Sequence, residues 1–168
     1  MARYKVVPER SHLTAEARSS LHPVKWQTTG LTGFVEADVD GGAPRLGAPF
    51  KVEIEAGKLK SGSFLNDSEL QRRLETRKFP RVIGDVKSAD VVAGTTRWRL
   101  AGNLSVHGVT RATDAEVTVR AIDDKTIEIE GDKVIDIRDY GMTPPRILML
   151  KVYPDVKVHA RLVAVREE

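Results

Sequence analysis

Apolar and polar residues alternate with a period of two along most of this chain, the pattern of strands that bury one face and wet the other. In Lys51–Ala56, Val52, Ile54 and Ala56 share one face, while Lys51, Glu53 and Glu55 share the other. Arg97–His107 is the longest case. Trp98, Leu100, Leu104 and Val106 lie on its apolar side, and Arg97, Arg99, Asn103, Ser105 and His107 on its polar side. Glu116–Ala121 repeats the pattern with Val117 and Val119 inward, and Thr126–Glu130 with Ile127 and Ile129 inward. Towards the end, Val156, Val158, Ala160, Leu162 and Ala164 alternate with Lys157, His159 and Arg161. Residues 12–18, 32–40, 82–92, 134–138 and 147–152 carry the same period more faintly. Turn-forming residues at Asp40–Pro44, Ala93–Gly94, Asp123–Asp124 and Gly131–Asp132 separate these runs. Strands punctuated by turns from end to end predict an all-β sandwich or barrel, not a parallel α/β sheet. With no internal repeat and no linker, residues 1–168 form one expected domain.

One segment departs from the period of two. Leu65–Phe79 predicts a helix, with its core near residues 66–78. Asn66 is placed as N-cap, Glu69 completes a capping box, and Leu65 and Leu70 are spaced for a hydrophobic staple. Leu70 and Leu74 make a narrow apolar face, Glu69 and Arg73 form a favourable pair four apart, and Pro80 stops the helix. Against a barrel, such a helix serves as a lid or plug, or simply caps one end of the core; the pattern admits both.

Composition narrows the function. The chain has 168 residues, 40% of them hydrophobic and 30% charged. No apolar run approaches the roughly 20 residues of a membrane-spanning helix. The absence of cysteine excludes disulfides, thiolate metal sites and cysteine nucleophiles. A net charge of +3, from 27 basic against 24 acidic residues, is too small and too scattered to predict a nucleic-acid partner. The opening MARYKVVPERSH lacks a long apolar core followed by a small-residue cleavage site, so the expected compartment is the cytoplasm. A mature secreted form with an added Met would read the same way.

Chemistry-bearing motifs are sparse. His12, His22, His107 and His159 sit in no ligand-like spacing with one another or with carboxylates, so no metal site is expected. His22, before Pro23 in a loop-like stretch, is the histidine best placed to sit at a mouth, or it is a hydrogen-bonded loop residue. No G-x-S-x-G elbow and no phosphate-binding glycine loop is present. Asp136 and Asp139 flank Arg138, which favours ionised carboxylates, the opposite of what a general acid needs. No catalytic residue and no cofactor follows, and the expectation is a binding protein, not an enzyme. Arg72, Arg73, Arg77, Lys78 and Arg81 cluster around the helix. They could meet a phosphate head group or an anionic membrane surface, or form a solvated face with Glu69 and Glu75.

Several stretches together resemble the YceI-like family of polyisoprenoid-binding proteins. The clearest is Leu100-Ala-Gly-Asn-Leu-Ser-Val-His-Gly-Val-Thr-Arg111, similar to the family's G-[DN]-L-[TS]-[IV]-[HK]-G-V-[TS]-[RK] signature. Asn66-Asp67 through Leu74, then Lys78-Phe-Pro80, is similar to its helix-to-strand segment, and Val134-Ile-Asp-Ile-Arg-Asp-Tyr-Gly141 to a later strand. Ser68-Glu69 stands where the family usually has Arg-Asp. The resemblance implies an eight-stranded antiparallel lipocalin-like barrel with one helix. It also implies a long isoprenoid, either a polyprenyl chain or an isoprenoid quinone, held in the lumen for carriage, storage or sequestration. Parity and resemblance together assign Trp98, Leu100, Leu104, Val106, Leu70, Leu74, Phe79, Ile135, Tyr140, Ala160 and Leu162 to the lumen or lid, with His22 at the mouth. Small inward residues (Ala15, Ala17, Ala56, Ala121, Ala160, Ala164, Gly102) leave a void that an apolar guest would fill. The other readings are a barrel that fills its own core, or an enzyme on an apolar substrate using His22 and an arginine. The expected partners are the isoprenoid lipid or quinone and a transient anionic membrane contact; a homodimer is compatible with the sequence.

Overall fold

Eight strands close into a ring, and everything else in the molecule is arranged on that ring. The computed structural model describes residues 1–168. In chain order the elements are β1 (Ala2–Val6), β2 (His12–Ser19), β3 (Val24–Thr28), β4 (Thr32–Asp40), β5 (Ala43–Leu46), β6 (Phe50–Glu55), α1 (Phe64–Leu74), β7 (Arg81–Val91), β8 (Arg97–Val106), β9 (Val109–Asp123), β10 (Thr126–Asp136), β11 (Arg146–Ile147) and β12 (Leu150–Arg166). The ring runs β1-β4-β6-β7-β8-β9-β10-β12, and β12 pairs back onto β1 through Tyr4↔Arg166 and Val6↔Ala164. All its pairings are antiparallel, and every strand of the ring has a partner on each side. This is the closed barrel with one helix that the resemblance implied.

The long strand β12 is shared. Its C-terminal end closes the ring on β1, while its middle pairs with β2, which carries β3 on its other edge. A bridge between Gln27 and Lys60 then ties β3 to the chain just after β6. The β2–β3 pair therefore fills the wall, at the other end of the barrel, where β1 does not reach.

Strand parity follows the sequence. Direct cross-strand partners share a face, so Trp98↔Val117, Ile129↔Leu162 and Ile127↔Ala164 all point inward, with charged residues between them outside. Three strands, β1, β3 and β5, were not among those predicted. Gly131–Asp132 is not the expected turn but lies inside β10. Gly131 is there because β9 and β10 approach closely, and a Cβ at this position would lie 2.9 Å from the carbonyl oxygen of Glu116.

The helix begins and ends earlier than its pattern predicts. Ser63, not Asn66, is the N-cap, its side chain accepting from the Asn66 N–H at 3.3 Å. Glu69 is therefore free of a capping box; it pairs with Arg72 and Arg73 and accepts the Arg146 N–H at 3.2 Å. At the other end Glu75 adopts the left-handed conformation and stops the helix after Leu74, well before Pro80.

Candidate functional site

The barrel is solid at one end and hollow at the other. At the solid end, Tyr4, Val6, Val35, Val119 and Ile127 are all but completely buried and fill the ring from wall to wall. Outside that end Glu128 is also buried, bridged by Arg120 and Arg161. Burial pushes its carboxyl up, but hydrogen bonds from the two guanidiniums outweigh this and hold it below the usual carboxylate range.

Whereas the inward residues of the solid end are closed off, those of the hollow half, such as Ala15, Leu100, Leu104, Val156 and Val158, are only partly buried. They enclose a cavity of about 320 Å³ lined by 30 residues, 22 of them hydrophobic. That volume lies at the lower end of the roughly 300–1,000 Å³ range of ligand pockets. The space arises from small residues in register. Ala15 and Ala17 on β2 face Val158 and Val156 on β12, and Gly84 on β7 lies opposite Leu104 on β8. Gly102 on β8 is required by backbone proximity, since a Cβ there would fall 2.0 Å from the Asp85 carbonyl oxygen.

Six of the twelve residues assigned from sequence line this cavity: Leu70, Leu74, Leu100, Leu104, Val106 and Ile135. The two helix leucines face the cavity, so α1 covers the hollow half, in the position of a lid. The other six stand elsewhere, each for a physical reason. Trp98 and Leu162 have the inward parity but lie in the packed floor, beside Val117 and Ile129 respectively. Ala160, between Gly131 and Leu13, sits where the cavity gives way to that floor. Phe79 is outside the wall, edge-to-face on His107 with centroids 5.2 Å apart. Tyr140 is buried in a short 3-10 turn, Ile137–Tyr140, and burial raises its pKa. His22 is exposed in the β2–β3 turn, with its N–H donating to Ser19 Oγ at 3.0 Å.

The sequence reading missed Trp26, which lines the cavity opposite Ala15. Its alternation with Val24 and Thr28 was the available signal. Also missed was a clamp at the mouth. His107, in the β8–β9 turn at φ 54°, donates through Nδ1 to the Tyr140 carbonyl at 3.0 Å, and its Nε2 meets the Glu75 carboxylate. One side chain thus ties the end of the lid helix to the turn that follows β10.

No group of histidines and carboxylates is arranged to hold a metal ion. Besides its hydrophobic residues, glycines and Pro145, the cavity wall carries Asp85, Asn103, Thr113, Asp114 and Lys133, and the one ion pair among these joins Lys133 to Asp114 at 3.4 Å. What the arrangement can do chemically is offer a slender apolar guest a mostly hydrophobic surface.

A family model for the YceI-like domain matches residues 4–164. Crystal structures with the same fold include Burkholderia cenocepacia BcnA, at 14% identity and a TM-score of 0.79 over 95% of this chain and 99% of that one. A polyisoprenoid-binding domain from Saccharophagus degradans, implicated in plant cell wall breakdown, also has 14% identity and a TM-score of 0.79, over 99% of this chain and 100% of that one. The Campylobacter jejuni YCEI protein shares 17% identity at a TM-score of 0.62, covering 82% of this chain and 81% of its own. A comparison with curated proteins finds no match.

Proposed function

Because this chain belongs to the YceI-like domain family, we propose that it is a binding protein that carries, stores or sequesters a long isoprenoid lipid or quinone in its hollow half. One observation carries the reading: an apolar cavity of about 320 Å³ beneath a helix whose two leucines face it. An empty apolar space forfeits contacts on every side of its lining, and a buried hydrocarbon restores them at about 0.8 kcal/mol per methylene before ordering costs. The isoprenoid character rests on the family and on the neighbouring polyisoprenoid-binding domain. The wall is mostly apolar, which suits binding better than catalysis.

Carriage requires a place to load. Phe64 on α1 and Leu21, Leu148 and Met149 in turns are strongly exposed, while Arg72 lies on α1, Arg77 and Lys78 just past it, and Arg146 and Lys151 on the strands that flank the β11–β12 turn. Apolar tips among cations suit a transient contact with an anionic membrane.

Native mass spectrometry of protein purified without detergent, with organic extraction of the same sample, tests the function. A retained mass that extracts as a lipid with a repeating five-carbon chain is the expected result. Protein that is consistently empty and that fails to take up a prenyl chain from vesicles overturns it.

A further inference from the structure

The ladder between β9 and β10 ends early. Its last pair is Gly131↔Val117, although both strands continue towards the lid. Beyond that pair, Val109–Glu116 of β9 bonds only to β8, and Asp132–Asp136 of β10 bonds only to β12. The wall is therefore split by a seam. Gly131 pressed against Glu116 closes it below; above, the 3-10 turn is strapped across by His107 and by Arg111, which donates to the Asp139 carbonyl at 3.4 Å.

The seam opens into the apolar cavity, since Thr113, Asp114, Ala115, Lys133 and Ile135 line both. Lys133 is the one cation in the whole lining. Its partner across the ladder is Val158, itself in the lining, so Lys133 has the inward parity on which every other β10 residue is apolar or glycine from Ile127 to Ile135. Its ammonium lies 3.4 Å from Asp114 Oδ1, in a pair whose carboxylate side is 61% exposed. Asp85, the other carboxylate of the lining, is held instead by Lys87 at 3.1 Å. Lys133 has the inward parity of an apolar barrel, and its one counter-charge is a carboxylate largely open to solvent.

Resting on the reading above, we propose that the β9–β10 seam is a head-group subsite, and that Lys133 selects guests carrying an anionic head, a phosphate or carboxylate, over neutral ones. The tail lies in the cavity, the head lies in the seam, and Asp114 swings aside as the anion takes its place. Thr113 supplies a hydroxyl on the same inward parity, opposite Gly102.

Farnesyl phosphate and farnesol carry the same tail, so titrating each calorimetrically isolates the head. The wild-type protein should bind the phosphate about tenfold more tightly, the size of one charge-assisted hydrogen bond. Lys133→Gln and Lys133→Met should bring that ratio close to one, and Lys133→Arg should keep it. Asp114→Asn, which removes the competing anion, should raise it. Added salt should shrink the preference, as the seam is open to solvent. A wild-type ratio near one, or a ratio that survives in both Lys133→Gln and Lys133→Met, overturns the subsite and leaves the cavity reading intact. Failure of both farnesyl compounds to bind overturns the cavity reading and the subsite with it.

Discussion

The two ends of this barrel are made from the same strands and the same alternation, yet one is packed and the other hollow. At the packed end the inward residues are Tyr4, Val6, Val35, Val119 and Ile127, branched or aromatic side chains that meet across the axis. At the hollow end the same strands or their neighbours place Ala15, Ala17, Gly84, Gly102 and Ala115 inward. Residue volume at successive inward positions, more than pattern, separates a floor from a chamber. Stability is thus concentrated in one half and capacity in the other, and mutations should divide accordingly.

The largest effect belongs to the floor. Ile127→Ala should cost about 2–5 kcal/mol, seen as a lower denaturation midpoint, with guest retention changed only in proportion to the unfolded fraction. Selective loss of the guest from well-folded protein would mean that the chamber extends to the floor. On the outside of that end, Glu128→Gln should cost about 1–3 kcal/mol, because it withdraws a buried anion from Arg120 and Arg161. Glu128 has a lower pKa folded than unfolded. Its contribution is therefore full above about pH 4.3 and drains away as pH falls through the depressed value. Acid titration of stability should show this loss in the wild type and lack it in the Gln variant.

The hollow end should respond in the opposite sense. Overpacking a filled core costs about 1–3 kcal/mol, but Ala15→Phe projects into open space and should shift stability by less than that while excluding the guest. Retained lipid of unchanged amount in that variant would relocate the chamber. The smallest effect on stability is expected at the clamp. His107→Ala breaks the hydrogen bond to the Tyr140 carbonyl and the partly exposed pair with Glu75, and should cost about 1 kcal/mol. Its signature is kinetic: faster lipid release to acceptor vesicles, with thermal unfolding only slightly lowered.

Alternation made the inward face legible but not the height of each residue along the barrel axis. Leu100, Leu104, Val106 and Ile135 were assigned to the lumen by parity and line it; Trp98 and Leu162 have the same parity and lie in the floor. Height is set by registers such as Tyr4↔Arg166 and Gly131↔Ala160, between residues far apart in the chain, and no local pattern encodes them. The seam was hidden for the same reason, since it exists only where one ladder stops. Gly131 looked like a turn residue because the freedom a turn needs and the closeness two strands need select the same amino acid. Strands β1 and β3 do alternate, but five residues each gave too short a signal.

The reach of β12 has a consequence in time. This one strand of 17 residues pairs with β1, β2, β10 and β11. It is also the last of the barrel's strands to be made. Until it emerges, β1 and β10 present bare edges and β2 with β3 has nothing to lean on, however completely the hairpins between them have formed. The molecule cannot mature piece by piece behind the ribosome. The barrel must be held open until β12 has been made and then close by joining residues as far apart as Tyr4 and Arg166, a non-local topology of the kind that folds in milliseconds to seconds. A chaperone that shields β edges would act on this protein before its own last strand does.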